Sequence, residues 1–306
     1  MLSSRPIECP NFLLERTRGQ PRVPTAIVNA GSQLPMESAQ LAWSEGLIEP
    51  VLVGDTAAIT SLAKELSWDI SALRVVAAAS EEEAAANAVS LARGGEVASL
   101  MKGDIHTDNL LRAVLHREHG LRGDSRLSHV FHMTVPDCDQ ALCITDGAIN
   151  TAPDLETKMA IARNAIELLH RLGNPLPKVA VLSATEQPSE AMPSSIEAAE
   201  IARRAASELP GALVDGPFAL DNAVSPQAAE IKGITSPVAG CADILLAPNI
   251  ETGNALFKQM VYFMSAAAAG IVLGAKVPIT LTSRADPPAA RLASAALAAL
   301  YATGKN

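Results

Sequence analysis

From Thr25 onward the chain alternates short β-branched runs with amphipathic, Ala-rich segments, the pattern of consecutive strand–helix units on a parallel sheet. The spacing predicts strands over Thr25–Ala30, Pro50–Val53, Arg74–Ala77 and Val97–Met101. Between them it predicts helices over Pro35–Glu45, from the cap Asp55 to about Leu66, and from the capping box Ser80-Glu81-Glu82-Glu83 to Gly94-Gly95. After the fourth strand a polar loop, Lys102 to Asp108, leads into a helix that carries Arg112.

Two extended segments, Ser128–Val135 and Leu142–Thr145, meet at the turn Pro136-Asp137 and break this rhythm, which marks a passage between domains. A second series follows: helix Leu155–Leu172, strand Val179–Leu182, helix Ser195–Glu208, strand Ala212–Val214, a helix near Pro226–Glu230, strand Ile244–Ala247 and a helix from about Gly253. Strand Ile279–Thr282 and helix Ala289–Tyr301 then return to the first domain. The expected organisation is an irregular N-terminal arm of residues 1–24, a first α/β domain of residues 25–135 plus 278–306, and a second α/β domain of residues 136–277.

Length and composition sharpen this. A chain of 306 residues suits two such units, and with only 3% aromatic residues their cores must be aliphatic, which favours α/β layering over a β-sandwich. The net charge of −9 excludes general affinity for nucleic acid or an anionic membrane, so any anionic ligand needs a local cationic cluster. The longest apolar run, Val261–Ala275, is too short to span a bilayer and reads as a buried helix followed by a buried strand. The N-terminus has no secretory h-region, and the four cysteines lack metal-ligand spacing, so they read as reduced thiols of a cytoplasmic protein.

Three loops gather polar groups at strand ends, where open α/β sheets bind ligands. They are Lys102 to Arg112, Asp146 to Asn150, and Ser283 to Asp286 at the end of the stretch PITLTSRAD. Lys102, Arg112 and Arg284 are the cations for a dianion, and a helix starting near Thr107 adds free N–H groups. Arg112 also reads as a surface arginine, Thr107 as a cap, and Asp221 either as a cap or as a cleft residue. His129 and His132 face opposite sides of a strand and cannot chelate one ion, so no metal site is expected. Nucleotide and serine-hydrolase signatures are absent: the chain has no GxGxxG after a strand, no GxxxxGK[ST] and no GxSxG.

The stretches MKGDIHTDNLLRAVL, LSHVF, ITDGAINTAPDLETK, VDGPFALDNAVS, KGITSPVAGCADILLAPNIETGN and LTSRAD resemble the phosphate acetyltransferase and phosphate butyryltransferase family. The resemblance runs from about Thr25 to Leu300. It implies a two-lobed, parallel-sheet α/β/α architecture similar to the isocitrate/isopropylmalate dehydrogenase-like fold, with the active site in a cleft between lobes, and a homodimer. The implied reaction moves an acyl group, expected to be acetyl, reversibly between coenzyme A and phosphate, with coenzyme A as substrate and no cofactor.

In that resemblance Ser283 stabilises the tetrahedral oxyanion, Arg112 and Arg284 hold phosphate, and Lys102 and Thr107 match the same phosphate-side motif. The acetyltransferase branch carries an aspartate seven residues beyond the serine; this chain has Ala290 there. Asp286, which matches the butyryltransferase-like pattern, is the candidate base, with Asp146 as the alternative. Asp146, Asn150 and Asp221 complete the expected substrate-binding set. The competing readings are a butyryltransferase for longer acyl chains and a non-catalytic coenzyme A-binding or dimer-scaffold relative.

Overall fold

Aliphatic strands that bury both faces need helices on either side, and the computed structural model, which describes residues 2–138, 140–282 and 285–304, is built that way. The chain divides into two compact units, Ile7–Ser125 with Ala269–Gly304, and Arg126–Ala268 with the residues up to Pro6.

The first unit holds β1 (Val23–Val28), β2 (Ile48–Gly54), β3 (Arg74–Ala77), β4 (Ser99–Lys102), β10 (Ala267–Leu273) and β11 (Ile279–Thr280). They lie in the order β3-β2-β1-β4-β11-β10, parallel except for β10 against β11. Val28, Leu52, Val53 and Leu100 are buried in its core. Helices α1 (Asn11–Thr17), α2 (Gln33–Ser44), α3 (Thr56–Glu65), α4 (Glu81–Arg93), α5 (Thr107–Val114) and α11 (Pro288–Thr303) complete it. α11 is buried from Ala290 to Leu300 and packs on α1, α2, β1 and β4, which explains its nearly unbroken apolar sequence.

The capping signals resolve as written. Asp55 Oδ1 accepts from the N–H groups of Ala57 and Ala58, and Ser80 Oγ accepts from Glu83 N while Glu83 Oε2 accepts from Ala79 N. Two expectations change. Within the stretch expected to be irregular, Asn11–Thr17 is helical because Leu13 has a face of α11 to bury against. The apolar run after Val261 is not uniformly buried: Tyr262, Phe263 and Met264 are exposed, whereas β10 is buried.

The second unit is ordered β5-β6-β9-β7-β8, comprising β5 (Ser128–Thr134), β6 (Leu142–Thr145), β7 (Lys178–Leu182), β8 (Leu213–Phe218) and β9 (Ile244–Leu246). Among the described residues only β5 against β6 is antiparallel there, and this hairpin-like pairing groups β5 with the second unit. Helices α6 (Leu155–Arg171), α7 (Pro193–Glu208), α8 (Leu220–Val224), α9 (Pro226–Ile231) and α10 (Ile250–Met264) surround the strands. Met133, Ile144, Leu182, Phe218 and Leu245 form its core. The architecture is therefore α/β with mostly parallel, mixed strand pairing.

Candidate active site

In the first unit the loops after β1 and β4 are knitted together by main-chain bonds. Gly103 N donates to Val28 O (2.9 Å) and Asp104 N to Asn29 O (3.0 Å). A Cβ at Gly103 would lie 2.3 Å from Val28 O, so only glycine admits the approach. This junction borders a cavity of about 300 Å³ lined by Ser32, Ser38, Lys102, Asp104, Thr282 and Arg291, together with the first residues of α2. Lys102, at the end of β4, is half-buried, and its Nζ donates to the Gly103 carbonyl at 3.3 Å.

Thr282 leads directly into Ser283 and Arg284, which lie outside the described residues. Asp286 precedes α11, and its main-chain carbonyl accepts from Arg291 Nη1. Ala290 is buried in the first turn of α11 and brings no acid–base group.

Thr107 and Arg112 are not part of the cavity lining. Thr107 begins α5, but the N-cap position belongs to His106, whose side chain does not cap the helix. Glu81, in the first turn of α4, does that work instead. Its Oε2 accepts from His106 N (3.0 Å) and Asn109 Nδ2 (2.9 Å). These bonds, the His106 main chain foremost, hold the Glu81 carboxyl down at about 2. Arg112 is exposed on α5, donating to Asn109 Oδ1 at 3.1 Å.

In the second unit Asp146, at the end of β6, is buried with its carboxylate fully engaged. Oδ1 accepts from Ala148 N (2.8 Å) and Ile149 N (3.0 Å), and Oδ2 accepts from Asn150 Nδ2 (2.7 Å), Asn150 N (3.3 Å) and His129 N (3.3 Å). Asn150 also donates to Leu127 O and accepts from Arg126 Nε. Asp146 and Asn150 thus hold the loop after β6 in place. His129 is fully buried beside them, and burial lowers its ring to about 4 against the opposing pull of Asp146, so it stays neutral near neutral pH.

Asp221 sits in α8 with its side chain 55% exposed, 3.6 Å from Lys232 Nζ, and Ser225 rather than Asp221 caps α9. Among the described residues no group of His, Cys, Asp and Glu could hold a metal ion, and no helix is long and apolar enough to cross a membrane. Cys143 is buried, which raises its thiol, and burial raises Cys9 to about 11. Cys241 does have a basic partner that spacing did not reveal: Lys178 Nζ lies 3.1 Å from its sulfur, brought there across adjacent elements.

The family model described as Phosphate acetyl/butaryl transferase matches residues 80–299. The chain belongs to the phosphate acetyltransferase and phosphate butyryltransferase family. It is 46% identical over 288 residues to a phosphate acetyltransferase of Rickettsia typhi, covering 94% of this chain and 82% of that one. A crystal structure of a branched-chain phosphotransacylase from Enterococcus faecalis superposes with a TM-score of 0.80 at 32% identity, covering 92% of this chain and all of the other. A 4-hydroxythreonine-4-phosphate dehydrogenase from Burkholderia phymatum, at 12% identity and a TM-score of 0.56 over 92% of this chain, shares the fold alone. The dehydrogenase-like architecture expected from the sequence is thereby found.

Arg291 was missed at the sequence level. It stands inside an apolar helical pattern, and nothing in its spacing signals that α11 turns it toward a cavity.

Proposed function

We propose that the protein transfers an acetyl group reversibly between coenzyme A and inorganic phosphate. The observation that carries this is a cavity whose lining includes Lys102, Thr282 and Arg291 on a chain of net charge −9; in the sequence Thr282 is followed by Ser283 and Arg284. Cationic and N–H donors are what a phosphate dianion requires.

In the acyl phosphate direction, Asp286 takes the thiol proton of coenzyme A and the sulfur attacks the acyl carbonyl carbon. Ser283 donates to the developing oxyanion and Arg284 to the phosphoryl oxygens. The carbon–oxygen bond then breaks and phosphate leaves with its electron pair, taking up the proton. Lys102, Thr107 and Arg112 supply positive charge and donors on the phosphate side, while Asp146, Asn150 and Asp221 shape the substrate-binding loops. Asp286 is preferred to Asp146 as the base because the Asp146 oxygens are already occupied by N–H donors.

Acetyl is preferred on identity, 46% to the acetyltransferase of Rickettsia typhi against 41% to a probable phosphate butyryltransferase of Bacillus subtilis. The second reading, a longer acyl chain, is favoured by Ala290, where the acetyltransferase branch has its aspartate. The same proposal takes the protein as a cytoplasmic homodimer, in keeping with its free cysteines. Thiol release from acetyl-, propionyl- and butyryl-CoA in the presence of phosphate tests the activity and its chain length, and light scattering tests the dimer.

A further inference from the structure

Arg291 occupies a position that stability alone does not explain. It is 7% exposed, on the first turn of the 16-residue helix α11, where the positive end of the helix dipole opposes a cation. Its Nη1 has a neutral partner, the Asp286 carbonyl, and its Nε is buried with no hydrogen-bond partner. Among the described residues no carboxylate lies within ion-pair distance of it. Glu37 on α2 and Asp286 act on it only as more distant charges, too weakly to cancel its desolvation. A buried guanidinium stays charged, so this arrangement is costly in the empty protein and is relieved by an anion.

The cavity supplies the place. Arg291 lines it together with Lys102, the hydroxyls of Ser32 and Ser38, and the start of the 12-residue helix α2. Ser32 holds the N-cap position without a side-chain cap bond, so the first-turn N–H groups of Gln33 and Leu34 are not taken up by it. Among the described lining residues Asp104 is the one carboxylate, against two cations.

We propose that Arg291 is an oxyanion-binding residue of this cavity, holding with Lys102 the phosphate or acyl phosphate dianion of the acyl transfer reaction. This rests on the reading of the protein as a phosphate acyltransferase. The phosphates of coenzyme A share the same chemistry, and the assignment is to the small dianion rather than to them.

The test is titration calorimetry of the full-length protein with inorganic phosphate, with acetyl phosphate and, separately, with coenzyme A. For Arg291→Gln, affinity for phosphate and acetyl phosphate falls by about tenfold or more, with coenzyme A affinity within about twofold of the parent and Arg291→Lys in between. Ser38→Asp leaves Arg291 in place but adds a carboxylate to the lining, and lowers phosphate affinity by a similar factor of about ten; it decides the matter if Arg291→Gln fails to fold. Unchanged phosphate affinity in either folded variant, a loss confined to coenzyme A, or a parent protein that binds no phosphate overturns the proposal. A parent protein that binds phosphate but transfers no acyl group leaves this site standing and removes the proposed function; a parent that transfers acyl groups while Arg291→Gln keeps phosphate affinity does the reverse.

Discussion

Arg291 Nη1 donates to the main-chain carbonyl of Asp286, so the first turn of α11 is tied to the segment that carries the candidate base. Because the tie uses the main chain, exchanging the Asp286 side chain leaves it intact. Asp286→Asn is therefore expected to lower kcat by about 100-fold or more, the range general-base removal produces, while KM for acetyl phosphate changes by less than about threefold. Steady-state kinetics in the coenzyme A plus acetyl phosphate direction check this, and an unaltered kcat assigns the proton transfer elsewhere.

A guanidinium makes paired bonds to phosphoryl oxygens that a neutral amide cannot. Arg284→Gln should raise KM for phosphate about tenfold or more with little change in KM for acyl-CoA, and equal effects on both substrates contradict an anion-specific role.

Glu81 links α4 to α5 by accepting from His106 N and Asn109 Nδ2. Its folded-state value of about 2 lies below the ordinary 4.5, so the unfolded chain binds the proton more readily. The contribution to stability is complete above about pH 4.5 and is lost as pH falls toward 2. Glu81→Gln is expected to cost about 1 kcal/mol at pH 7 by thermal or urea unfolding, and the gap from the parent should close on acidification. A gap that is constant with pH contradicts the assignment.

The loop junction at the cavity rim makes a steric prediction. At Gly103 a Cβ would meet both Val28 O and Asn29 O, at 2.3 and 2.6 Å. Gly103→Ala should destabilise the protein by about 1–3 kcal/mol and weaken phosphate binding, since the strain falls on the β1 and β4 loops that border the cavity. An Ala variant with unchanged unfolding midpoint argues that the loops part more easily than their hydrogen bonds indicate.

Much of the strand–helix order was legible because local signals and tertiary structure agree. Asp55 and Ser80 cap the helices their spacing marks, and Leu142–Thr145 pairs as read. Elements whose form depends on remote partners were not legible. The helix Asn11–Thr17 exists because Leu13 meets α11, and the sense of β10 against β11 is set by their pairing rather than by any pattern within either strand. At the site, Lys102 could be read from its place at a strand end. The engagement of Asp146 by five N–H donors could not, since it depends on how the chain turns after β6, and Arg291 was hidden by the alanines around it.

One reaction defines the proposed activity. Purified protein supplied with acetyl-CoA and inorganic phosphate should release free thiol and form acetyl phosphate in equal amounts, with a rate that saturates in phosphate and reverses when acetyl phosphate and coenzyme A are supplied. Thiol release that is independent of phosphate contradicts it as thioester hydrolysis, and no release with acetyl-, propionyl- or butyryl-CoA contradicts it and leaves a coenzyme A-binding or scaffolding role for the chain.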